Sequence, residues 1–195
     1  MLLNKTVNWY DNNATSYFEK TFNSANHFNQ NLFWETLNSN SPYILDLGCG
    51  SGRAALQFQS FGAKVKGIDA SKELVSLVNA LGINADIMDM REISFNKEFD
   101  GIWACASLLH LSKNDCKIVL NKCHKALKAN GIIYISVKSF EENTNDCRYF
   151  SYYERDELEF MVKSSNFKIL HCWETSDQLG RTTKWLNIIA RKEFV

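Results

Sequence analysis

From Tyr43 to Val137 short apolar runs and amphipathic stretches take turns along the chain. A sheet of parallel strands crossed over by helices absorbs that order. Tyr43–Leu47 reads as the first buried strand, entered from Pro42, the only proline, which there removes no central ladder bond. Residues 52–60 read as a helix closed by Gly62, and residues 64–68 as the second strand. Ser71 then caps a helix whose Leu74, Leu77, Val78 and Leu81 share one face, with Gly82 at its end. Residues 85–88 and 100–104 are the third and fourth strands. Ser112 and Asp115 form a capping-box pattern opening a helix with Val119, Leu120, Cys123 and Leu127 inward. Gly131 closes that helix, and residues 132–137 are the fifth strand. The tail breaks the rhythm: after a helix at 154–164 come strands at 167–173 and 184–190, joined by a short polar connection. That connection does not easily hold a crossover helix, so the last two strands are predicted to pair antiparallel. The expected fold is α/β: a doubly wound, mostly parallel seven-stranded sheet with a C-terminal antiparallel hairpin.

The 195 residues fit one domain. Residues 1–40 form a polar and aromatic preface, with helical spacing at Phe28, Leu32, Phe33 and Leu37, and residues 41–195 form the α/β core. Lys+Arg and Asp+Glu balance at 22 each, so no global field draws nucleic acid or an anionic membrane. The opening residues hold no apolar run of signal-peptide or membrane-span length. Six cysteines without a C-x-x-C pair read as reduced thiols of a cytoplasmic protein. No Cys/His spacing suggests a metal. A monomer or homodimer acting on a small molecule is the expectation.

The first strand ends in Asp46-Leu47-Gly48-Cys49-Gly50-Ser51-Gly52 and runs directly into a helix. Glycines allow a tight turn and the close approach of a ligand, and ligands of open α/β sheets sit beyond the carboxyl ends of the strands. The nicotinamide fingerprint G-x-G-x-x-G/A needs Gly or Ala where Arg53 stands. An acid, Asp69, ends the second strand about 20 residues beyond the loop, the placement expected of a ribose ligand.

The spacing with its leading acid resembles the first motif of class I methyltransferases, D/E-x-G-x-G-x-G, and the terminal hairpin suits that family. The resemblance implies S-adenosylmethionine as cofactor. It places the methionine part on Asp46, Gly48, Cys49, Gly50, Gly52 and Arg53, and the ribose on Asp69 and Ala70. Leu74 then borders the adenine, with Asp89 and Met90 on its edge and Asp86 a competing choice. Ala104, Cys105 and Ala106 face the sulfonium. Further motifs resemble a narrower bacterial group, the small methyltransferases described as tellurite-resistance-like. They include Trp9-Tyr10-Asp11 with Tyr17, the stretch from Gly101 to His110, Ser136-Val137-Lys138, Arg148-Tyr149-Phe150, and Arg181 with Trp185 and Asn187.

That likeness casts the preface as a lid over the cofactor, with Tyr10 and Tyr17 offering aromatic faces to a sulfonium. The alternative is that both tyrosines only pack. His110 is either a general base or a structural histidine holding its loop. Leu109, Lys138, Arg148, Tyr152 and Arg181 stand at the substrate end, the cations either binding an anion or simply solvated. The implied reaction is methyl transfer to a small acceptor such as a thiol or a chalcogen oxyanion. A tRNA or rRNA acceptor, or a non-catalytic cofactor-binding subunit, are the alternatives.

Overall fold

The computed structural model describes residues 2–24, 27–139, 146–177 and 182–193, with side chains from residue 5 onward. Seven strands form one sheet in the order β3-β2-β1-β4-β5-β7-β6. They are β1 (Tyr43–Leu47), β2 (Lys64–Asp69), β3 (Asn84–Ile87), β4 (Phe99–Cys105), β5 (Leu127–Lys138), β6 (Phe167–Ser176) and β7 (Lys184–Lys192). The five from β3 to β5 pair parallel. β7 pairs antiparallel with both β5 and β6, as the short connection requires.

Three helices precede the sheet: α1 (Leu2–Asn12), α2 (Ala14–Phe22) and α3 (His27–Thr36). Of the rest, α4 (Arg53–Ser60) and α5 (Lys72–Ala80) lie with α3 on one face, while α6 (Lys113–Ala126) and α7 (Arg155–Lys163) cover the other. Burial on both faces explains the near-continuous apolar runs of β1 and β5. On the α3 side, Trp103 and Tyr134 stand at paired positions of β4 and β5, stacked with ring centroids 3.9 Å apart.

Three sequence expectations shift. α6 stops at Ala126 and the chain enters β5 at once, so Leu127 is a buried strand residue and Gly131 lies within the strand. Asn130, at φ 60°, bends the strand where the glycine suggested a helix end. On α5 the buried face is Leu74, Val75 and Val78, and Leu81 is exposed: the helix ends at Ala80, one residue before it. On α3, Phe33 is fully buried beside Asn29 and Gln30, whereas Phe28 is exposed.

The strand order reverses between β1 and β4, since β1 leads to β2 on one side while β4 joins it on the other. A crevice opens at such a switch point, beyond the carboxyl ends of the strands. Among the described residues no helix is long and apolar enough to cross a membrane.

Candidate active site

The glycine loop leaves β1 at that crevice. Gly48, Gly50 and Gly52 all have positive φ, at 79°, 54° and 73°. The amides of Gly48 and Cys49 both donate to the Ile68 carbonyl, at 2.9 and 3.0 Å, which ties the loop to the end of β2. A Cβ at Gly48 would lie 2.5 Å from Cβ of Ser107, so only glycine lets the loop approach the turn after β4. Gly50 and Ser71 donate their amides to the two Asp69 carboxylate oxygens, at 3.0 and 2.9 Å. Gly52 caps α4 against Val78 and Ile83, and Cys49 is buried against Gly67. These two pack the loop and lie behind the crevice, outside its wall.

Asp46 is buried behind the same loop, and its Oδ2 has no hydrogen-bond partner. Burial, reinforced by the neighbouring Asp69, pushes its pKa up to about 7. The buried Ser107 hydroxyl is a second unpartnered polar atom, and it borders the crevice.

The crevice floor is the glycine loop with Asp69 and Ala70. Leu74, Met88 and Met90 give one apolar side, and Cys105 and Ala106 close the other. Asp89 also lines it, but its carboxylate is engaged by Arg91, whose Nη2 lies 2.6 Å from Oδ2. Burial alone would raise the Asp89 pKa, but the hydrogen bonds and charge of Arg91 together outweigh it and hold the carboxyl below its usual range. Asp86 stands away from the crevice, paired with Lys66 at 2.6 Å. Ala104 is fully buried in the core and reaches neither cavity: strand alternation puts it on the face opposite Cys105, and Ala106 lies beyond the end of β4. Ala106 itself adopts φ 55°, a conformation that costs a non-glycine residue on the order of 1 kcal/mol or more.

α1 and α2 roof the crevice with Thr6, Val7, Tyr10 and Tyr17. Beyond Tyr10, Tyr17, Cys105, Ala106 and His110 lies a second chamber, which shares those five residues with the crevice as a common wall. Its other walls include Trp9, Leu109, Phe150 and Trp185 with Lys20, Arg53, Lys138 and Arg148. Arg53 therefore faces this chamber and not the crevice. Tyr152 packs on Phe150, ring centroids 6.4 Å apart, and lies outside the wall. Arg181 lies outside the described residues.

His110 ends a 3-10 turn, Leu108–His110, after β4. Its Nδ1 is 2.8 Å from the Tyr149 carbonyl and its Nε2 is 2.9 Å from the Tyr10 hydroxyl. A carbonyl can only accept, so Nδ1 carries the proton and Nε2 accepts from Tyr10. Burial, with Arg148 adding a smaller push, lowers the His110 pKa to about 4. Arg148 donates to the Tyr10 hydroxyl at 3.1 Å, lies over the Trp9 ring at 4.1 Å and pairs with Asp146 through Nε at 3.0 Å. Thr6 Oγ1 accepts the Tyr149 amide at 2.9 Å, and Asp11 accepts the Ser71 hydroxyl at 2.7 Å.

Thr6 and Asp146 escaped the sequence reading, and Asp11 and Ser107 entered it only within motifs, with no role assigned. For the first, a signal existed: Thr6, Tyr10 and Tyr17 fall at helical spacing on the inner face of the preface. Among the described residues no group of three or more His, Cys, Asp or Glu side chains could hold a metal.

Comparison with known proteins agrees with this fold. A family model described as a methyltransferase domain matches residues 44–131. The putative methyltransferase YqeM of Bacillus subtilis is 34% identical over 104 residues, 49% of this chain and 42% of that protein. The phosphoethanolamine N-methyltransferase of Plasmodium falciparum is 30% identical over 151 residues, 73% of this chain and 53% of that protein. The chain thus spans about half the length of these curated relatives. Among solved structures, the 1,6-didemethyltoxoflavin-N1-methyltransferase of Burkholderia thailandensis superposes with a TM-score of 0.82 at 18% identity, over 97% of this chain and 88% of that one. The narrower tellurite-resistance-like resemblance rests on the sequence motifs alone. Residues 44–131 thus match a methyltransferase domain, and the sheet they help build has the strand order and antiparallel ending of the class I methyltransferase fold.

Proposed function

We propose that the chain binds S-adenosylmethionine in the crevice and methylates a small molecule held in the second chamber. The observation that carries this reading is the common wall. Two cavities meet at Tyr10, Tyr17, Cys105, Ala106 and His110, as a reaction needs when a group passes from one ligand to another. When bound, the cofactor supplies a methyl group on a positively charged sulfur.

The residues present fit that cofactor. Each Asp69 oxygen already accepts one amide, and a carboxylate has about four lone-pair sites, which leaves sites for ribose hydroxyls. Leu74, Met88 and Met90 offer an apolar side to an adenine. The close approach at Gly48 and the unpartnered Ser107 hydroxyl suit a polar ligand on the loop. Asp46 acts through the loop, and Tyr10 and Tyr17 close over the crevice as a lid.

The chain's part in the reaction is alignment and a proton path. Tyr10 donates to His110 and accepts from Arg148, so its oxygen keeps a lone pair for an acceptor hydroxyl or amine. As the methyl group arrives, the acceptor's proton moves to the Tyr10 oxygen and the Tyr10 proton to Nε2 of His110. The lowered pKa keeps Nε2 unprotonated at neutral pH. A second reading is a soft acceptor already ionised, a thiolate or a chalcogen oxyanion. Four cationic side chains on the chamber wall favour it, and it needs no proton path. The cations line a cavity, which supports a small molecule over a tRNA or rRNA substrate.

Calorimetry with S-adenosylhomocysteine and with NAD tests the cofactor assignment. S-adenosylhomocysteine should bind and NAD should not, and Asp69→Ala should weaken binding by about 1.5–3 kcal/mol. An Asp69→Ala protein with unchanged affinity would overturn the assignment.

A further inference from the structure

Among the described residues two carboxylates border the crevice, Asp69 and Asp89, and their surroundings differ. Asp69 accepts one amide on each oxygen and keeps lone pairs for a ligand. Asp89 is saturated. Its Oδ1 accepts the Arg91 amide at 2.9 Å and Arg91 Nε at 3.1 Å, and its Oδ2 accepts Nε at 3.1 Å and Nη2 at 2.6 Å. Those contacts use up the roughly four lone-pair sites of a carboxylate, and the planar fork of a guanidinium fixes their direction. The pair is held from two sides. Asp89 caps the 3-10 turn Met90–Glu92, and the Lys122 ammonium of α6 donates to the Arg91 carbonyl. Asp86, the neighbouring acid of β3, is taken by Lys66 at 2.6 Å.

The Asp89 end of the crevice also opens outward. A groove on the far side of α1 and β3 shares Val7, Ala70, Met88 and Asp89 with the crevice and runs past Arg91 to Ile87. Ile87 is 62% exposed and offers an apolar surface just outside the site. In an adenine nucleoside the exocyclic amino group is the ring's only hydrogen-bond donor, so a carboxylate on the adenine edge is the group that would select for it. With Asp89 saturated and Asp69 set at the ribose, no carboxylate of the described crevice lining is left for that task.

From this we infer that the crevice does not select for the 6-amino group of the purine, and that the outer groove accepts a substituent carried there. The site thus takes N6-substituted adenosyl ligands as well as the unsubstituted one. Arg91 is the specificity-determining residue, because it occupies Asp89 in place of the amino group. The inference rests on the crevice being the cofactor site, with Asp89 on the adenine edge.

The test reads binding by calorimetry and needs no turnover. S-adenosylhomocysteine is compared with its 6-desamino analogue, in which purine replaces adenine, and with its N6-benzyl analogue. All three should bind the wild-type chain within about threefold of one another. Arg91→Ala releases Oδ2 of Asp89. A hydrogen bond to a charged group then becomes available to the amino compound alone, which should outbind the desamino analogue by about tenfold or more. The Arg91 side chain is 41% exposed, so its removal should leave the fold intact. A wild-type preference of about tenfold or more for adenine over purine, exclusion of the N6-benzyl analogue, or an Arg91→Ala ratio equal to that of wild type would each overturn the inference. Tight S-adenosylhomocysteine with rejected analogues sinks this inference alone. Failure of S-adenosylhomocysteine itself to bind sinks the cofactor assignment, and the inference with it.

Discussion

Buried Asp46 and half-buried His110 give the site opposite dependences of stability on pH. Asp46 moves from an ordinary 3.8 to about 7 on folding. Between those values the folded chain binds more protons than the unfolded one, so this contribution falls as pH rises and levels off above about 7. His110 moves the other way, from 6.5 to about 4. Its contribution is complete above 6.5 and is lost as pH falls toward 4. Each slope is at most about 1.4 kcal/mol per pH unit, and over the shared window the two oppose. Urea midpoints of the cofactor-free protein from pH 4.5 to 6.5 should therefore rise more steeply with pH in Asp46→Asn than in wild type. In His110→Asn they should fall relative to wild type. Identical slopes in all three would mean that neither group is shifted as the packing implies. Kinetics separate the acceptor classes at the same residue. A protic acceptor predicts that Tyr10→Phe and His110→Asn lower kcat by about 10²–10⁴, with S-adenosylhomocysteine affinity nearly intact. An already ionised acceptor predicts a loss below about tenfold.

α1 joins the two sides of the crevice. Asp11 holds the start of α5 through Ser71, while Thr6 and Tyr10 hold the segment around Tyr149 and His110. If α1 and α2 are the lid, these few hydrogen bonds set how fast it opens. A hydrogen bond to a charged group contributes about 1.5–3 kcal/mol, so Asp11→Ala should speed release of S-adenosylhomocysteine by about 10- to 100-fold, followed by stopped-flow fluorescence of Trp9. Hydrogen exchange over residues 2–22 should slow when the cofactor product is bound. Equal exchange in both states would leave Tyr10 and Tyr17 as packing residues. The caps of α5 and α6 were legible because Ser71 and Ser112 each accept an amide three residues on. The end of α6 was not, because the chain turns straight from Ala126 into extended backbone at Leu127, φ −75° and ψ 140°, with no glycine at the helix end.

Across the whole molecule, α3 is seated on the sheet at Gly101. A Cβ there would lie 2.7 Å from Cζ of Phe33 and 2.9 Å from a methyl of Leu37. Phe33 in turn packs between Phe58 and Trp103, ring centroids 5.4 Å from each. Gly101→Ala should therefore destabilise the fold by about 1–3 kcal/mol, the usual cost of overpacking, in urea unfolding. Gly62→Ala serves as a control: it has a positive φ of 96° but no atom within 4 Å of an added Cβ, so it should lose only the smaller backbone contribution. A Gly101→Ala protein as stable as wild type would show that α3 can shift outward without cost.

The order of elements, the glycine loop with its acid, and Asp69 at the end of β2 were determined by the sequence alone, because each depends on neighbours within a few residues or on a short strand–turn–helix unit. The antiparallel ending was legible for the same reason: a short connection forbids a crossover. Only the tertiary structure decided which side chains share a cavity. It moved Arg53 from the crevice to the second chamber, turned Ala104 into the core, gave the Asp89 carboxylate to Arg91, and brought Tyr10, His110 and Arg148 together across |i−j| of 100 and 138. Contacts at such separation follow from how α1 packs over the crevice, a packing outcome that no local spacing encodes.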